Sequence, residues 1–159
     1  MTELGAIRDA YQTLVDCHRV TAELLRKSSK GSTFHETIFL NLPLDETKHL
    51  LAQAKAELDD WAIVSMVSIF ERALFKHDRS PLRSTPLREG AEGLHNAIKQ
   101  FKKRVSPRAY EDVERLCHYR HWVAHGKRWE KPAHADPVSA YQRLADFLTQ
   151  AGLETKTHD

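Results

Sequence analysis

Residues 45–77 contain no Gly or Pro, and this uninterrupted run most narrows what the chain can fold into. Asp45 can cap a helix by accepting a hydrogen bond from a free backbone N–H of its first turn. Behind it, Leu50, Leu51, Ala54, Leu58, Trp61, Ile63, Val67, Phe70 and Leu74 keep a helical rhythm. Between Trp61 and Phe75 apolar residues cover more than one face, as in a central helix touched from several sides. At 1.5 Å per residue the helix is about 50 Å long, so it is expected either to kink or to let its first turns project.

The flanking segments read as shorter amphipathic helices. Over residues 2–30, Leu4, Ile7, Tyr11, Leu14, Leu24 and Leu25, with His18 and Thr21 between, repeat at three and four, and Gly31 is a natural stop. The rhythm breaks over 32–43, where Phe34, Ile38, Phe39, Leu40 and Leu42 predict a loop tucked against the core. A Pro- and Ser-rich loop over 79–86 precedes a third helix over 87–105. That helix turns Leu94, Ile98 and Phe101 inward and Lys99, Lys102, Lys103 and Arg104 outward, with Gly90 and Gly93 weakening its first turns. Ser106-Pro107 is a cap followed by proline at the first helical position, where no N–H is needed. The fourth helix buries Tyr110, Val113, Leu116 and Cys117 and ends near His125. Asp136-Pro137 repeats the cap for a fifth helix, which carries Tyr141, Leu144, Phe147 and Leu148 inward and stops before Gly152. The fold expected is all-α: a single-domain helical bundle of about five helices over 1–152, with a short polar tail over 153–159.

Composition adds exclusions. A formal charge of +2 over 159 residues does not by itself argue for nucleic acid; only its distribution can. Cys17 and Cys117 form no disulfide framework. No basic-then-apolar leader opens the chain, and no run approaches the ~20 apolar residues of a membrane span. The expectation is a cytoplasmic protein with no membrane partner.

Chemistry concentrates in residues 118–128, His-Tyr-Arg-His-Trp-Val-Ala-His-Gly-Lys-Arg, where Gly126 stops the helix beside the polar groups. Arg120 is followed at once by the polar His121 and, after four intervening residues, by His125. With the run Val-Ala-His-Gly and an earlier apolar helix carrying Ser68-Ile69-Phe70-Glu71-Arg72, this pattern resembles the HEPN domains. These are small all-helical modules, many of them metal-independent ribonucleases, whose motif is an arginine followed four to six residues later by a histidine. The resemblance covers most of the chain. It implies an endoribonuclease, the toxin of a toxin–antitoxin or antiphage module, acting on RNA as a homodimer with the motif lining a cleft between protomers. It implies no cofactor and no metal. In one subset a tyrosine two residues after the motif histidine is modified by a partner protein to silence the toxin. Lys127 occupies that position here, so this silencing route is not expected, and a different antitoxin remains open.

On a straight helix five positions are about 140° apart, so Arg120 and His125 cannot share one face. Either the backbone leaves helical geometry at His125, which Gly126 permits, or two copies meet about a two-fold axis; the resemblance implies the second. RNA brings its own nucleophile, the 2′-hydroxyl. His125 is cast as general acid or base and Arg120 as the clamp on the phosphoryl oxygens. His121 is a polar helper, and Lys127 and Arg128 attract the RNA backbone.

Each of these residues also has a purely structural reading. Arg120 continues the inward stripe Val113, Leu116, Val123, where a buried arginine needs an acid, and Glu71 is the candidate partner and support. His125 would favour the negative end of its helix. Trp122 and Trp129 suit the core or a dimer contact as well as stacking on bases. His121 and His125 lie one turn apart, as in a helical zinc pair, but Cys117 and His134 are poor third ligands. As a function, the alternative is a non-catalytic module of the same fold that binds RNA, nucleotide or a protein partner.

Overall fold

The computed structural model describes residues 2–27, 34–78, 91–127, 130, 132–133 and 135–153. Those residues form five helices and no strand: α1 (Glu3–Lys27), α2 (Leu44–Asp78), α3 (Ala91–Gln100), α4 (Pro107–Ala124) and α5 (Pro137–Ala151). No helix among them is long and apolar enough to cross a membrane. The 35-residue α2 is unbroken, as its lack of Gly and Pro permits. Contacts group the chain, read from sequence as one domain, into two units, Asp9–Asp59 and Met1–Arg8 with Asp60–Asp159. The first turns of α2 therefore group with the later turns of α1, and not with the other helices.

In the first unit, Tyr11, His18 and Leu25 fall seven residues apart along one line of α1. Tyr11 and Leu25 are buried, and His18 Nε2 is 2.9 Å from the Leu51 carbonyl of α2. Lys55 donates to both Asp59 carboxylate oxygens (2.6 and 2.8 Å), and the Tyr11 hydroxyl donates to the same acid at 2.8 Å. Leu14 and Leu24, read as part of the inward face, are instead 44 % and 38 % exposed. At about 100° per residue they lie off the seven-residue line, outside the strip that a single neighbouring helix covers. Phe34 is buried as expected of the 34–43 segment, but Ile38 is 71 % exposed.

The second unit holds the main core. Ile63, Met66, Val67, Phe70 and Leu74 of α2 are fully buried, as are Val113, Leu116 and Tyr119 of α4 and Leu144 and Phe147 of α5. Phe147 is the hub, edge-on to Phe70 at 5.3 Å and to Phe101 at 6.1 Å. Such contacts add about 0.5–1.5 kcal/mol each to the burial of the rings. Trp61, included in the apolar run, is exposed. Leu94, Ile98 and Phe101 point inward and Lys99, Lys102, Lys103 and Arg104 outward, as expected. Helix α3 stops at Gln100, short of the Val105 expected, because the chain tightens: the N–H groups of Phe101 and Lys102 donate three residues back, at 3.0 and 3.2 Å.

Both cap-and-proline signals hold. Ser106 accepts from the Ala109 N–H (3.2 Å), and its own N–H donates to Gln150 of α5 (2.7 Å), tying the start of α4 to the end of α5. Asp136 accepts from the Ser139 N–H at 2.8 Å. At the other end of α5, Gly152 turns left-handed (φ 71°) and the Leu153 N–H reaches back to Leu148. Leu153 is buried, so it belongs to the helix stop and not to the polar tail.

Candidate functional site

The last turn of α4 ends in a Schellman motif. The His125 N–H still reaches the His121 carbonyl (3.1 Å), the Gly126 N–H donates to Val123 (3.0 Å) and the Lys127 N–H to Trp122 (3.0 Å). Gly126 is left-handed at φ 74°, as the glycine suggests, but so is Lys127 at φ 59°. A left-handed non-glycine costs about 1–2 kcal/mol, so something must hold it. Asp60 of α2 does: its carboxylate meets the Lys127 ammonium at 2.8 Å and accepts from the Tyr119 hydroxyl at 2.6 Å. Asp60 is only 6 % exposed and Tyr119 is fully buried. Lys127, expected to attract an RNA backbone, instead turns its ammonium onto an internal acid. Arg128, the other basic residue assigned to RNA, lies outside the described residues, as do Trp129 and His134.

Arg120 also meets α2, further along that helix. Its Nη2 donates to Glu71 Oε2 at 3.4 Å, with the two side chains 28 % and 17 % exposed. The expected pair is therefore present, but as a single long bond and not the two-bond fork an arginine can make. Nε of Arg120 is buried with no hydrogen-bond partner. Among the described residues Glu71 is thus the acceptor that holds the guanidinium.

His121 and His125 lie one turn apart with their rings in tilted contact, centroids 4.1 Å apart. Partial burial lowers the His121 pKa, and the neighbouring charges of His125, Arg120 and His118 lower it further. His121 is thus kept neutral near pH 7, with both members of the Arg–His motif bearing on it within one chain. Among the described residues no three His, Cys, Asp or Glu side chains gather as a metal-holding group. Cys117 is a poor candidate ligand in any case, because burial pushes its thiol up to about 12.

A groove of about 500 Å³ opens beside this turn between α3 and α4, with Arg120 and His121 on its wall. Leu94, Ile98 and Cys117 supply its apolar floor, and His95 and Glu114 meet at 3.3 Å on its lining. Asp60 and Glu114 carry this arrangement and were missed in the sequence. Asp60 did leave a signal: it stands seven residues before Val67 and fourteen before Leu74, on their buried line, where an acid requires partners. No protein-family model, curated protein or solved structure matches the chain.

Proposed function

We propose that this chain is a metal-independent endoribonuclease of the HEPN type, the toxin of a toxin–antitoxin or antiphage module, working as a homodimer. One observation carries the reading. His121 and His125 pack together at the capped end of α4, the first held neutral and the second tilted against it, and Arg120 beside them in the chain is paired inward to Glu71 by one long bond.

These groups suffice for transesterification. The 2′-hydroxyl oxygen attacks the adjacent phosphorus, its proton passes to neutral His121, and the bond from phosphorus to the 5′-oxygen breaks. His125, exposed at the turn, hands a proton to that departing oxygen. Arg120 steadies the charge that builds on the phosphoryl oxygens. The products are a 2′,3′-cyclic phosphate and a 5′-hydroxyl. Glu71 orients the guanidinium, and Asp60, through Lys127, fixes the turn that presents His125.

The test incubates wild type, Arg120→Ala and His125→Ala with labelled RNA in excess EDTA and compares their thermal melts. The expected result is cleavage by the wild type that survives EDTA, ends in cyclic phosphate and vanishes in both folded variants. Cleavage abolished by EDTA would overturn the metal-free mechanism. RNA binding without cleavage, by a folded wild type, would replace the nuclease with a binding module.

A further inference from the structure

We infer that the groove between α3 and α4, extended by the lysines at the end of α3, is a track for single-stranded RNA that also selects a base about three nucleotides from the cut. The inference rests on the ribonuclease reading for its substrate, but the binding it describes is measurable without cleavage.

The two helices run antiparallel: His95 of α3 faces Glu114 of α4 at 3.3 Å, and Lys102, just past α3, lies 5.3 Å over the ring of Tyr110. Residues 110, 114, 117 and 121 of α4 therefore follow one another along the groove, from the lysine end to the histidine pair. That row spans about 16 Å at 1.5 Å per residue, room for about five stacked nucleotides at 3.4 Å apiece and fewer if the strand is extended.

Each part of the row suits a different part of the strand. The floor of Leu94, Ile98 and Cys117 is apolar and accepts the face of a base. Glu114, which already meets His95 and the Tyr110 hydroxyl, retains carboxylate lone pairs fitted to a base that presents an amino group and not to uracil, whose corresponding group is a carbonyl. A carboxylate repels phosphate, so the backbone is expected on the opposite rim. There Lys99 and Lys102 continue the helix face of His95, with Lys103 and Arg104 beyond them. All four are exposed and none pairs with an acid among the described residues. A protein of small net charge thus carries a basic stripe that no acid among the described residues compensates, and it continues from the groove past the end of α3. A duplex cannot offer a base face to the floor, so the chemistry selects a single strand.

The experiment uses the full chain and a labelled 2′-O-methyl oligocytidine of about twelve residues, which binds but cannot be cut. Affinity is measured by fluorescence anisotropy against salt. Replacing Lys99 and Lys102 together with Gln is expected to weaken binding about tenfold at moderate salt and to reduce the salt slope by about 1.4, two phosphate contacts at ~0.7 each. Wild type is expected to prefer oligocytidine over oligouridine and over duplex, and Glu114→Gln to erase the first preference, since an amide both donates and accepts. Unchanged affinity and slope in the folded double variant would overturn the track even if the wild type cleaves RNA. Equal binding of a polyglutamate peptide would overturn it in favour of an acidic protein partner. Binding that follows these expectations without cleavage of ordinary RNA would keep the track and refute the nuclease.

Discussion

Asp60 is the residue whose removal most directly tests the architecture of the site. Its carboxylate accepts a 2.6 Å bond from a fully buried tyrosine and a 2.8 Å bond from the Lys127 ammonium, whose side chain is 33 % exposed. In Asp60→Asn one amide oxygen must serve both donors and the charge is gone. Hydrogen bonds to charged groups are worth about 1.5–3 kcal/mol, and because Lys127 can rehydrate at the surface, the expected loss is near 2 kcal/mol. Asp60→Ala strands the Tyr119 hydroxyl in the core as well, for a total of about 3–5 kcal/mol. For a chain of this size that lowers the melting temperature by roughly 6–20 °C. Urea unfolding measures both losses, and a cycle with Lys127→Met isolates the pair. Loss of the clamp frees the turn that carries His125, so folded Lys127→Met is expected to lose turnover with little change in KM. An Asp60→Asn variant within about 0.5 kcal/mol of wild type, or a cycle showing no coupling, would refute the idea that this acid holds the left-handed turn.

Four further outcomes are expected. Arg120→Lys keeps one donor for Glu71 but loses the fork, so stability should change by less than about 1 kcal/mol while cleavage falls about 100-fold; equal losses in both would make the arginine structural. Because the His121 pKa is lowered, the acid limb of the rate profile should fall below the ordinary ~6.5. For the same reason the folded chain binds fewer protons there than the unfolded chain. Stability should therefore rise with pH from just below the His121 pKa to the ordinary histidine value and level off above it, and urea titrations across that window check the sign. Cys117, with its thiol pushed up to about 12, should resist iodoacetamide at pH 8 while exposed Cys17 reacts; mass spectrometry of the peptides decides.

What was legible in the sequence was what neighbours along the chain decide. Ser106-Pro107, Asp136-Pro137 and Gly126 announce helix ends because capping is satisfied within a few residues. The Arg120–Glu71 pair was also within reach, since an arginine on an inward stripe requires an acid and the apolar helix carried one on offer. Asp60 was not read: its two donors, Tyr119 and Lys127, lie 59 and more residues away, and nothing local marks either as its partner. Leu14 and Leu24 were misplaced for a related reason. Periodicity shows that a helix has an apolar side, but the width of the strip actually covered depends on the neighbouring helix. The groove was invisible in the same way, because its walls belong to two helices and its width is set by the side chains between them.

The angle between Arg120 and His125 leaves one question that mixing two inactive proteins answers. Helical hydrogen bonding persists through His125, so the backbone does not swing that histidine round to the arginine. Arg120 turns inward to Glu71 while His125 is exposed at the turn. A phosphate held by both is therefore expected between two copies of α4 about a two-fold axis, with the arginine from one protomer and the histidines from its partner. Arg120→Ala and His125→Ala homodimers are then both dead. A mixed dimer keeps one intact pair, the arginine of the second chain with the histidine of the first. Random exchange makes half the dimers mixed, each with one of its two sites whole, so about a quarter of wild-type activity should return. Native mass spectrometry confirms that mixed dimers have formed. If they form and no activity returns, each chain builds its own site, and the phosphate must instead sit across the end of a single α4, where the charges of Arg120 and His125 both bear on His121.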